Sequence, residues 1–229
     1  MAPGPSIRYV NAVGQDGWVN GRANDGAFIP LCKYTKVNIA ESKGGRTYFE
    51  VLDGGRRGAK LSMSDGNVST YFGPNPPRKG AAKITVKYGR YVEGWYSTAR
   101  KLSLNQQLAS MAVEGVQADV TMNTNWGVGY YPLPAGTYNV GTPDAPHAGD
   151  MTNYYRAVAP SLIHDQVWFP IQFADKSRYV HVGNISDGCV TVISLEQWPK
   201  VCEALISHRS DDGAYVATLT VIGTPERAR

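Results

Sequence analysis

Within twelve residues the chain carries an imidazole, a hydroxyl, a carboxylate, a glycine turn and a thiol: His181-Val-Gly-Asn-Ile-Ser186-Asp187-Gly188-Cys189-Val-Thr191-Val192. A cysteine attacks as its thiolate, and an adjacent imidazole both draws the proton away and returns it later. Cys189 is therefore the candidate nucleophile and His181 the candidate base. Gly188 allows a sharp backbone turn that leaves the sulfur approachable. The N–H groups of Gly188 and Cys189 could face a developing oxyanion, a contribution of roughly 3 kcal/mol each. Ser186 would orient the turn or the substrate, and Asp187 would shape the turn or hold a substrate amine. The chemistry this set suits is acyl transfer through a thioester. The same residues also read as an ordinary Ser-Asp-Gly turn before a buried cysteine.

The elements that must position these groups are strands. Alternation through Tyr179, His181 and Gly183 sets His181 on one face of a strand that ends just before the turn. A second imidazole, His164 in Leu162-Ile-His-Asp165, competes for the role of base but lies far upstream of Cys189. His147 reads as a solvated loop residue. Aromatics gather in the sequence around the proposed cleft: Trp126, Tyr130, Tyr131, Tyr154, Tyr155, Trp168 and Tyr179. Candidate substrate-binding residues are Tyr131, Trp168, Tyr179, Gly183 and Thr191.

Residues 181–192 resemble the active-site motif of the L,D-transpeptidases, the YkuD-like family: an upstream His, a loop, then Ser/Thr-His-Gly-Cys and an apolar residue. Ser186-Asp187-Gly188-Cys189-Val190 matches the second half, with Asp187 where the family has His. His181 matches the upstream His with a short loop to the cysteine. Tyr131-Pro-Leu-Pro-Ala-Gly-Thr-Tyr-Asn-Val140 is similar to a proline–glycine stretch that precedes the catalytic region, and Arg100–Leu108 to the family's opening strand. The resemblance covers roughly residues 95–223. It implies a mainly β fold, an L,D-transpeptidase-like β-sandwich or barrel with one helix near the C-terminus. It also implies a cysteine transferase or hydrolase that acts on peptidoglycan stem peptides as an L,D-transpeptidase or L,D-carboxypeptidase, with no cofactor. Thr191 stands where the family often has Arg or Asn. The short spacing resembles a subgroup used as secreted antibacterial effectors, which would add an immunity or delivery protein as partner. Action in the cell envelope or periplasm is the matching location. The alternative is a non-catalytic wall-binding or structural β protein that retains the fold.

Composition narrows the classes. The chain has 229 residues, 18% charged, with 25 glycines, a balance that suits a turn-rich β protein. Net charge is +4, with Lys and Arg scattered and no basic stripe interleaved with aromatics, so nucleic acid is not an expected partner. The start lacks a basic-then-apolar leader, and no run of eighteen apolar residues suggests a membrane span. Three cysteines allow one disulfide at most, and Cys32 and Cys202 read as buried small hydrophobes. Four histidines and no paired cysteine spacing make a metal site unexpected.

Two regions are expected: a small β-rich, barrel-like module or extension over residues 1–94, then the catalytic domain over 95–229. Alternating runs predict strands at Lys36–Ile39, Thr47–Leu52, Ala59–Met63 and Lys83–Lys87, with turns at Gly44-Gly45, Asp53-Gly-Gly55 and Asp65-Gly66. Further strands are predicted at Lys101–Ala112, Gln117–Met122, Gly136–Val140, Gln166–Phe173, Arg178–Val182 and Ala214–Ile222. Phe72–Arg78, rich in proline, is a loop or boundary. Only Leu195–Ser207 has helical spacing, with Ser194 as its cap. The stretch from Gly141 to Tyr155 lacks periodicity, and the resemblance to the L,D-transpeptidases implies a lid over the substrate groove at this position.

Overall fold

A computed structural model describes residues 6–127, 129–174 and 178–227. Its first part is an antiparallel sheet of β1 (Ser6–Val10), β2 (Trp18–Ala23), β3 (Phe28–Cys32), β4 (Lys36–Lys43), β5 (Arg46–Val51), β6 (Lys60–Ser64) and β7 (Phe72–Gly73). Their spatial order is β3-β2-β6-β5-β4-β1-β7. Alternation drives this sheet: Thr47, Phe49 and Val51 of β5 point inward while Tyr48 faces solvent. Val10, Leu31, Val37, Leu61 and Met63 join Phe49 and Val51 in a separate core. The β4–β5 hairpin closes on Gly44 and Gly45, both at positive φ (60° and 75°), as a two-residue turn of this hand requires. Asp65-Gly66, expected as a turn, instead opens α1 (Asp65–Tyr71). The Ser64 hydroxyl caps that helix by accepting from the Asn67 N–H at 3.3 Å, a local gain the turn reading overlooked.

The second part is a closed barrel. It consists of β9 (Ala82–Ser97), β10 (Leu102–Val113), β11 (Val116–Thr121), β12 (Gly136–Gly141), β13 (Phe169–Ile171), β14 (Arg178–Val182), β15 (Val190–Val192) and β17 (Tyr215–Ile222). Going round, the order is β10-β11-β15-β14-β13-β12-β17-β9. A short parallel pair, β8 (Arg78–Lys79) and β16 (His208–Arg209), lies outside it. The protein is thus mainly β. The barrel begins at Ala82, so the boundary drawn after residue 94 falls inside β9. Ala82, Ile84 and Val86 already face the barrel core, whereas the later part of β9 is more exposed and pairs with β10 as a hairpin arm. The proline-rich stretch after Gly73 is the link. The strand expected over Gln166–Phe173 shortens to Phe169–Ile171.

One amphipathic helix, α3 (Trp198–Ile206), closes the back of the barrel with Trp198, Val201, Cys202, Leu205 and Ile206 buried. Ser194 does not cap it; its hydroxyl accepts from the Asp119 N–H at 3.1 Å. A further short helix, α2 (Asn153–Val158), lies in the long connection between β12 and β13. The two parts are stitched together: Trp18 and Cys32 join the barrel core, the Trp18 indole donates to the Gln166 carbonyl at 3.3 Å, and Lys33 pairs with Glu203 at 2.8 Å. All three cysteines are free and buried. Among the described residues no helix is long and apolar enough to cross a membrane.

Because Phe49 anchors the separate core and meets the Phe72 ring edge-on at 5.0 Å, Phe49→Ala should lower unfolding free energy by about 3–5 kcal/mol. Urea unfolding followed by tryptophan fluorescence checks this.

Candidate functional site

β14 and β15 pair in parallel, with His181 opposite Thr191 and Val180 and Val182 opposite Val190 and Val192. The valines fill the core, so Tyr179, His181, Thr191 and Cys189 share the other face by strand parity. Parallel neighbours usually need a crossover of about a dozen residues or more, yet residues 183–189 suffice here because both strands are so short. That return is pinned on both sides. Gly183 donates to the Val192 carbonyl at 3.0 Å, and Asn184 donates to the Tyr155 hydroxyl at 2.7 Å. The Asn184 side chain accepts from Ser97 at 2.7 Å. Ser186 exchanges bonds with Thr124 at 2.8 and 2.9 Å, and its hydroxyl donates to the Cys189 carbonyl at 3.0 Å. Gly188 sits at φ +82°, where a methyl group would overlap the Arg178 guanidinium and the Tyr131 carbonyl. Ser186 and Gly188 thus hold the turn, the first by its bonds to Thr124 and Cys189 and the second by its positive φ.

His181 is held at both nitrogens. Nδ1 lies 2.9 Å from the Val182 carbonyl, which can only accept, so Nδ1 carries the hydrogen. Nε2 is then the lone-pair nitrogen and accepts from the Thr191 hydroxyl at 3.0 Å. The Trp168 indole stacks on the ring at 4.0 Å, and His147 stacks on the same indole at 3.9 Å. His147 also meets Tyr179 edge-on; it is half-buried in an aromatic cluster, not the solvated loop residue its sequence suggested. It brings the 141–155 segment to the site.

Cys189 is 5% exposed, and its sulfur accepts from the Tyr179 N–H at 3.4 Å. Burial pushes the thiol up to about 11, opposed by the Tyr179 N–H and by Arg178. Burial likewise holds His181 down to about 4. Burial thus disfavours the charged form of both groups, the thiolate of Cys189 and the imidazolium of His181. The resting pair is neutral, contrary to the thiolate expected from the sequence.

Other candidates lie at different distances from this centre. His164, at φ +59°, sits at the seam with the first sheet: its N–H donates to the Gln15 carbonyl, and Lys33 and Glu203 are its charged neighbours. It does not join the Cys189 face. Tyr131 contributes its backbone carbonyl, which accepts from Arg178 at 2.5 Å, while its ring is exposed. Gly183 packs beneath the Tyr155 ring. Trp126 belongs to a separate cluster with Tyr91 and Arg227. Tyr179 lines a groove of about 570 Å³ shared with Asp144, Pro170 and Tyr215. Among the described residues no three His, Cys, Asp or Glu side chains cluster as metal ligands would. Sequence reasoning missed Arg178 and the anchoring role of the Tyr155 hydroxyl. The first was legible: it shares inward parity with Val180 and Val182, an odd position for a charge.

No protein-family model, curated protein or solved structure matches the chain.

His181 has a folded value near 4 against an ordinary 6.5, so the unfolded chain binds the extra proton between these limits. Stability should be intact above pH 6.5 and fall by about 3 kcal/mol as pH drops to 4. In His181→Gln that part of the slope should vanish, whatever the variant's absolute stability; urea midpoints across pH 4–7 test it.

Proposed function

We propose that this chain is a cysteine acyl-transferase acting on peptidoglycan stem peptides, as an L,D-transpeptidase or L,D-carboxypeptidase in the cell envelope. The observation that carries the reading is the β14–β15 pairing, which sets a tautomer-fixed imidazole and the one turn-borne thiol on a common face. The resemblance of residues 181–192 to the transpeptidase motif supplies the substrate class.

In this reading the Cys189 sulfur attacks the carbonyl carbon of a stem-peptide amide as its proton passes toward Nε2 of His181. Thr191, the present partner of that nitrogen, yields it at this step. The turn N–H groups of Gly188 and Cys189 receive the oxyanion. The C–N bond then breaks, and His181 returns the proton to the departing amine. An amine or water attacks the thioester next, giving its proton to His181, and the sulfur recovers a proton as it leaves. Trp168 and Tyr179 line the approach, and the segment carrying His147 covers it.

The burial of Cys189 and the engagement of both His181 nitrogens favour one rival, a non-catalytic wall-binding protein that uses the site only structurally. Turnover separates the two. Incubated with tetrapeptide-bearing wall fragments, the wild type should release the terminal residue or crosslink, read by mass spectrometry. Cys189→Ala should abolish this with the fold intact, and His181→Gln should reduce it by about 10²–10⁴-fold. A carbapenem should add its mass to the Cys189 peptide alone. Turnover retained in Cys189→Ala would remove the nucleophile; inert wild type would leave the binding reading.

A further inference from the structure

Arg178 is a buried cation that no carboxylate pairs among the described residues. It is 6% exposed, and no Asp or Glu among the described residues lies within ion-pair distance of it. Its guanidinium donates to the Tyr131 carbonyl at 2.5 Å and lies 5.6 Å from the Phe173 ring centroid. Its Nε is buried with no partner among the described residues. A guanidinium held this way gives up hydration without the compensation of a counter-ion, an arrangement that usually costs several kcal/mol. Gly188 lacks a side chain where the guanidinium sits, so the cation lies directly against the backbone of the residue that precedes Cys189.

We infer that Arg178 is the counter-charge for negative charge developing at Cys189, a positioning residue whose missing anion is the reacting sulfur itself. The inference rests on Cys189 being the reactive thiol. Two other groups face the sulfur from packed elements: the Asp187 carboxylate of the same turn, which opposes its ionisation, and the Tyr179 phenol. Asp187 Oδ1 is also buried and unpartnered. Arg178 and Asp187 therefore act on the thiol with opposite signs, and the site's readiness depends on their balance.

Alkylation reads that balance without any wall substrate. In 0.5 M salt, about enough to confine surface charges to a few ångströms, the wild-type rates with iodoacetate and iodoacetamide are measured at the Cys189 peptide by mass spectrometry. A cation beside the sulfur should raise the iodoacetate-to-iodoacetamide ratio several-fold above that of free cysteine. Arg178→Gln should slow iodoacetamide at pH 8 by about tenfold, the factor carried by one unit of thiol pKa, and Arg178→Lys should restore most of the rate. Asp187→Asn, on a half-exposed turn, should quicken it about three- to tenfold on the same scale. If Arg178→Gln fails to fold, the reagent ratio and Asp187→Asn decide. A free-cysteine ratio together with an unchanged Asp187→Asn rate overturns the inference. Absent wall turnover with this alkylation pattern intact removes the proposed reaction and leaves the charge assignment standing.

Discussion

The parallel contact between β14 and β15 is the constraint on which the site depends. Two short strands running the same way can be joined by residues 183–189 only if the chain turns back at once. Gly183 and Gly188, both at positive φ, make the two ends of that return. Shifting the register by one residue would carry His181 into the valine core and Val182 out of it. The return is therefore anchored on neighbours that are themselves fixed: Tyr155 and Ser97 at Asn184, Thr124 at Ser186, Val192 at Gly183. These anchors come from the barrel wall, the long β12–β13 connection and the loop after β11. The barrel is what lets so brief a crossover hold one geometry.

Burial then sets the chemistry. The same dry surroundings that lock the His181 ring between Trp168, Val182 and Thr191 also disfavour a charge on either reacting group. The His147–Trp168 stack ties the segment before α2 to the His181 imidazole through one indole.

Much of the fold was legible because alternation is written residue by residue. β14 matches its sequence expectation at both ends, and α3 keeps the stripe of Trp198, Val201, Cys202 and Leu205. The errors have local causes. Asp65-Gly66 resembles a hairpin turn until Ser64 is recognised as a cap, and a region boundary taken from the extent of the family resemblance falls inside β9, whose pairing starts at Ala82. In the site, alternation set His181 on one face of its strand, but that Cys189 shares that face came only with the β14–β15 register. The partners that decide their protonation were not legible either: Val182 and Thr191 on the imidazole, Trp168 above it and Arg178 under the turn meet only through strand pairing. His147 was misjudged for the same reason, because a loop sequence does not say what it will lie upon.

The central claim is that pairing, not ionisation, prepares this site, with His181 neutral and its lone pair on Nε2. Histidine ¹⁵N NMR of the labelled protein tests that directly. The account predicts a His181 ring protonated at Nδ1 that stays neutral down to about pH 4. A ring protonated at Nε2, or one titrating near 6.5 like a solvated imidazole, would contradict it.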